Sequence, residues 1–325
     1  NLPSISLFID VTNSIHYIVL PDQSNTELIF EGPIDIKQLL TISGCDGVIS
    51  YKELWPFIKA NKNLYMNLPP QFRLGSDYSN GHRQWVANHL TRRHCRLMDV
   101  RLLLAELRMI KQPYEIASIS KAVDITKDSL SKIENIIWEQ DQTEESLAWA
   151  ITAEFAKYGV GHAYPPIVAT GATAAILHGT PSPRKSADKP VLFDVGAEVN
   201  GYSADISRTY FPKPNDLYNG LVDAQIEIIN YLKPGLLLKE VNEFAVQTLS
   251  KLARVNGLTD PIEILFPHSI GHHLGLDTHD AANYKTPLQE NMVITIEPGL
   301  YSQSGGFGMR VEDDVLITKT GSRIL

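Results

Sequence analysis

Apolar residues along the chain recur with two different periods. From residue 1 to about 98 the runs are short: Ser6 to Asp10, His16 to Leu20, Glu27 to Phe30 and Gly47 to Ser50, each punctuated by Pro, Gly or Asn. Ile5, Leu7 and Ile9, then Tyr17 and Val19, alternate as in a pair of half-buried strands. This region predicts a small α/β domain. The run from Arg101 to Glu115 is helix-like until Pro113, which suits the first turn of a new helix. Ile116 to Ile137 then carries apolar residues three to four apart, the stripe of an amphipathic helix.

The pattern after this predicts a helix starting past Thr143, where Ser146 takes the place of the usual acid in a capping box and Glu144 and Glu145 suit the positive helix end. Two further helices are expected at Asp216 to Leu232 and Leu238 to Val255. Strands are expected at Val191 to Val195, Ser207 to Phe211, Val293 to Glu297 and Met309 to Ile317, all rich in β-branched and aromatic residues. The chain thus divides into an N-terminal domain over residues 1–98 and a larger one over 99–325.

Length supports that division, because 325 residues exceed a typical domain of ~100–200 residues. With 43% hydrophobic and 20% charged residues the composition is that of a soluble protein, and no stretch reaches the ~20 apolar residues of a membrane span. Acids outnumber bases 37 to 29 and the bases are scattered, which argues against a nucleic-acid partner. Cys45 and Cys95 form neither a disulfide framework nor a thiolate metal site, so a reducing cytoplasm is expected. The start carries neither Met nor a signal peptide, and the first domain is expected to be incomplete there.

The candidate chemistry lies on the later strands and their loops. Asp194 follows an apolar run, and a turn at Asn200-Gly201 would fold Asp205 back toward it, since paired strands lie ~4.8 Å apart. Taken alone, an Asp at a strand end is more often a turn residue. His268, His272, His273 and His279 crowd into twelve residues interleaved with Gly. Any one could be structural, whereas four together favour metal binding or proton transfer. Glu297 is the lone charge after an apolar strand, and Glu312 follows Val311 in another. A carboxylate facing a core must be neutralised, paired or metal-bound. For Glu312 the alternative partner is Arg310, two residues away on the same strand face.

Four carboxylates and one imidazole make an oxygen-rich set that favours Mn or another hard-to-borderline divalent ion. Bridging carboxylates hold two cations ~3.5–4 Å apart, an arrangement that activates a shared water for attack on a carbonyl.

These residues, in the order Asp194, Asp205, His272 in His-Ser-Ile-Gly-His-His-Leu-Gly-Leu-Asp-Thr-His-Asp, Glu297 in Ile-Glu-Pro-Gly-Leu-Tyr and Glu312 in Arg-Val-Glu-Asp-Asp, resemble the pita-bread metallopeptidases from about residue 98 onward. The likeness is greatest to Xaa-Pro aminopeptidase (aminopeptidase P) and prolidase. It implies an α+β pita-bread fold behind a truncated N-terminal α/β domain, and a dimer or tetramer acting on proline-containing peptides. It further implies two metals, with Mn preferred and Zn, Co or Fe as alternatives. Asp205 and Glu312 would bridge them, Asp194 would bind one, and His272 with Glu297 the other. By the same resemblance Glu297 assists proton transfer, His178, His268 and His279 line the substrate site, and Arg310 orients Glu312 or substrate. His273 stands where relatives often carry Trp or Phe, and the connection from Glu297 to Arg310 is short. Creatinase shares the fold and lacks the full carboxylate set, while non-catalytic pita-bread modules have lost ligands; all five ligand positions are kept here.

Overall fold

The computed structural model describes residues 5–58, 63–68 and 81–325. The chain forms two compact units, Asn1–Arg101 and Leu102–Leu325. In the first, β1 (Ser6–Asp10) and β2 (Ile15–Leu20) pair antiparallel, and β2 continues parallel to β3 (Gly47–Ser50). Between β2 and β3 lie α1 (Asn25–Glu31) and α2 (Ile36–Ser43). After α3 (Tyr51–Phe57), a second parallel pair joins β4 (Asn63–Met66) to β5 (Arg96–Asp99), with α4 (Gly81–Arg92) between them. Val19, Tyr51, Leu54 and Leu90 are at the centre of its core.

The strand expected at Glu27 to Phe30 is instead part of α1. Ser24 and Glu27 close a capping box, and that start signal outweighs the β-propensity of Leu-Ile-Phe. Ile29 is 81% exposed, so the half-buried surface a strand would have needed is not there.

The second unit opens with α5 (Arg101–Met109), whose first residue is the last of the first unit. Its first long helix, α6 (Pro113–Glu134), takes Pro113 at its start and buries Ile119, Ala122, Val123, Ile125 and Leu130. Helix α7 (Glu144–Lys157) starts at Thr143, whose hydroxyl accepts from the Ser146 amide while Ser146 Oγ accepts from the Thr143 amide. Strands β6 (Ile167–Thr170), β7 (Val191–Val195) and, after the short hairpin β8 (Glu198–Val199) and β9 (Tyr202–Ser203), β10 (Ile206–Tyr210) follow. They make an antiparallel sheet in the order β10-β7-β6.

Helices α8 (Asp216–Tyr231), α9 (Leu238–Val255) and α10 (Ile262–Leu265) precede β11 (Val293–Ile296), the hairpin β12 (Gly299–Ser302) and β13 (Phe307–Arg310), then β14 (Asp313–Ile317) and β15 (Ser322–Ile324). Strand β14 lies between β11 and β15. Each half of the unit has its own apolar core, one under α8 and α9, the other under α6 and α7. The expected strand from Met309 to Ile317 is split at Val311 and Glu312, because the Glu312 amide leaves the ladder to donate to Ser207 O at 3.0 Å. No helix among the described residues is long and apolar enough to cross a membrane.

Candidate metal centre

Strand pairing brings the first two carboxylates together. Asp194, on β7, lies opposite Ser207 of β10. The expected turn forms at Asn200 (φ 54°) and Gly201 (φ 80°), left-handed angles that an Asn-Gly pair tolerates. It returns the chain so that Asp205 precedes β10, with its amide donating to Asp314 Oδ2 at 3.0 Å. The Tyr164 hydroxyl lies 2.6 Å from both Asp194 Oδ1 and Asp205 Oδ1, a single phenol spanning two carboxylates.

His272 is placed by an unusually close backbone approach. A Cβ on Gly271 would lie 1.9 Å from Thr295 O, so only glycine lets this segment run so near β11. The Thr295 hydroxyl accepts from the His272 amide. His272 Nδ1 faces His273 O at 3.2 Å, and since a carbonyl only accepts, Nδ1 carries the proton. Nε2 then points to Asp205 Oδ2 at 3.4 Å and Glu297 Oε1 at 3.7 Å. Oxygen or nitrogen atoms of Asp205, His272 and Glu312 all lie within 4.8 Å of one another.

Glu312 sits at the break between β13 and β14, its Oε2 accepting from Ser207 Oγ at 2.6 Å. Arg310 is 4% exposed and uses three arms: Nη2 to Asp194 Oδ2 at 2.5 Å, Nε to Ser207 Oγ at 2.8 Å and Nη1 to Tyr301 OH at 2.9 Å. Its Nε is 3.8 Å from Glu312, so it reaches that residue chiefly through Ser207. Tyr301, accepting from Arg310, can pass its own proton toward His268 Nε2 at 3.2 Å.

All nine residues expected to form the site, namely His178, Asp194, Asp205, His268, His272, His279, Glu297, Arg310 and Glu312, line one cavity of about 390 Å³ together with Leu177, Ser269, Gly271 and Tyr284. His273 turns away, buried against Tyr284 with its Nδ1 unpartnered. Tyr164, Ser207, Tyr301 and Asp314 were not anticipated. Tyr301 lies inside the Glu-Pro-Gly-Leu-Tyr motif, whereas Tyr164 comes from a loop with no periodic signal.

Burial raises Asp194, Glu297 and Glu312 as acids, with Glu297 reaching about 7 although His272 and Arg310 pull it down. Burial alone would lower His272, yet Asp205 and Glu297 lift it to about 9. One guanidinium and one imidazole cannot balance four converging carboxylates, which is the electrostatic condition divalent cations relieve. The oxygen-rich donor set, with one imidazole nitrogen already aimed inward, fits such an ion.

A family model described as metallopeptidase family M24 matches residues 117–319. The chain belongs to metallopeptidase family M24. Its C-terminal unit has the pita-bread fold of that family, whose members bind divalent metal ions. The Arabidopsis thaliana mitochondrial intermediate cleaving peptidase 55 is 33% identical over 245 residues, covering 69% of this chain and 49% of its own. Among solved structures, aminopeptidase P from E. coli aligns with TM-score 0.80 at 25% identity over 97% of this chain and 80% of that one. Prolidase from Pyrococcus furiosus aligns with TM-score 0.75 at 25% identity over 98% and 88%. The chain spans 49% to 65% of the length of the first curated relatives it matches.

Proposed function

We propose that this M24 protein is a dinuclear metallo-aminopeptidase that removes the first residue from peptides whose second residue is proline. The observation that carries the reading is the convergence of Asp194, Asp205, His272, Glu297 and Glu312 on one cavity also lined by three further histidines and Arg310. Asp205 and Glu312 would bridge two cations, Asp194 would hold one, and His272 with Glu297 the other. Mn is the preferred ion, with Zn, Co or Fe as substitutes. When bound, such a pair polarises the scissile carbonyl and makes a shared water acidic enough to lose its proton near neutral pH.

The protein's own groups do the rest. Glu297, partly buried beside His268 and His272, is the carboxylate we assign to take and return a proton. His178, His268 and His279 present imidazoles to the peptide, and Arg310 fixes Asp194. Proline offers no N–H and a rigid ring, so selection must come from cavity shape, here between Leu177 and Tyr284. We expect a homo-oligomer in the cytoplasm.

Two other substrates have specific support. Prolidase, a dipeptidase, shares the fold over nearly the whole chain. The Arabidopsis relative is named for cleaving an intermediate, which would make the substrate a longer polypeptide. Assaying Mn-loaded protein on an Xaa-Pro dipeptide, an Xaa-Pro-Xaa tripeptide and an Xaa-Ala-Xaa control separates them. Release of the first residue from the proline tripeptide is expected. Cleavage of the dipeptide alone would favour prolidase activity, and equal cleavage of the control would remove the proline requirement.

A further inference from the structure

Outside the cavity, one carboxylate is more completely satisfied than any in the proposed centre. Glu144, the first residue of α7, is 1% exposed and accepts six hydrogen bonds. Its Oε1 receives the Thr170 amide at 2.8 Å and the Thr170 and Thr173 hydroxyls at 2.9 Å each. Its Oε2 receives the Ser182 hydroxyl at 2.6 Å, the Ser182 amide at 3.1 Å and Arg184 Nη1 at 3.1 Å. The backbone adds two more ties, Glu144 N to Arg184 O at 3.0 Å and Glu145 N to Ser182 O at 3.2 Å.

These donors come from the two ends of a single loop. Thr170 closes β6 and Thr173 lies in the 3-10 turn Gly171–Ala175, while Ser182 and Arg184 lie on the return before β7. Between them the loop carries Leu177 and His178 into the cavity wall. Among the described residues, no hydrogen bond holds the His178 side chain itself. Its position follows the backbone of the loop, whose two ends Glu144 ties together and whose turn also packs through Ala174 against Gly308 of β13. Pro181 and Pro183 stiffen the return limb.

We propose that Glu144 is a positioning residue for the active site: its carboxylate clamps both ends of the 170–184 loop and so fixes His178 against the substrate. This rests on the peptidase reading above, in which His178 faces the peptide. Glu144 itself touches neither the cavity nor any proposed ligand. A single charged acceptor with six donors is rigid because moving any one donor weakens the rest.

The test compares Glu144→Gln and Ser182→Ala, each made in the wild type and in His178→Ala, using Mn-loaded full chain. Hydrogen exchange of residues 171–184, metal content and kcat/KM on an Xaa-Pro tripeptide are measured. Glu144→Gln should speed exchange in 171–184, leave β7 exchange and metal content unchanged, and lower kcat/KM by about tenfold. In the His178→Ala background the same change should cost less than about twofold, because the residue it positions is gone. Ser182→Ala, which removes one donor, should show the same pattern more weakly and carries the test if Glu144→Gln does not fold. Unchanged exchange in 171–184, or an equal loss of activity with and without His178, would overturn the clamp. If the wild type cleaves no Xaa-Pro peptide, the peptidase reading fails separately, and exchange in 171–184 alone decides whether Glu144 holds the loop.

Discussion

Arg310 Nη2 lies 2.5 Å from Asp194 Oδ2 while two other arms of the same guanidinium reach Ser207 and Tyr301. One buried cation thus ties together strands β7, β10 and β12. Lysine would keep the charge and lose the fork. Arg310→Lys is expected to lower kcat/KM by about 10–100-fold, since displaced outer partners of a metal site cost that much. Steady-state kinetics with metal content measured in parallel checks this; unchanged kinetics would mean charge alone suffices.

Gly271 makes a different kind of demand. A Cβ there would lie 1.9 Å from Thr295 O and 3.1 Å from its hydroxyl, the group that also accepts from the His272 amide. Neither neighbour is the end of a flexible side chain able to swing clear, so Gly271→Ala must push the His272 segment off β11. A loss of about 3 kcal/mol is expected, at the upper end of overpacking effects. Thermal or urea unfolding reads it directly.

How much of this was legible in the sequence differs from residue to residue. The Asn200-Gly201 turn and the Val191 to Val195 strand place Asp194 and Asp205 correctly because both signals are local. Glu312 was expected within a continuous strand, facing the same way as Arg310. Its amide is instead taken by Ser207, a partner 105 residues away, and a contact of that range leaves no trace in periodicity. Tyr164 was missed for the same reason. At Glu27 to Phe30 the reason is different: the Ser24 and Glu27 capping box is a local helix-start signal that the apolar Leu-Ile-Phe run masks.

Glu144 also gives the fold a pH signature. Burial would raise its pKa, but the hydrogen bonds from Ser182, Thr170 and Thr173 outweigh this and hold it below its ordinary value of 4.5. A group whose folded pKa is depressed stabilises the fold above its unfolded pKa, and that contribution disappears as pH falls through the folded value. Thermal melts of wild type and Glu144→Gln at a series of pH values should differ most near neutrality, and the difference should shrink only as the pH falls past the ordinary carboxylate value of 4.5 and through the lowered folded value. A constant difference across the series would mean the carboxylate charge is not what the loop recognises.

The proposed centre itself is tested most directly by counting metal ions on purified protein after chelation and reloading with Mn, alongside Asp205→Ala and Glu312→Ala. About two ions per chain are expected in the wild type, the stoichiometry of a bridged pair. Each substitution should lose at least one, because each removes a proposed bridge. Metal content that stays the same in both variants would contradict the centre.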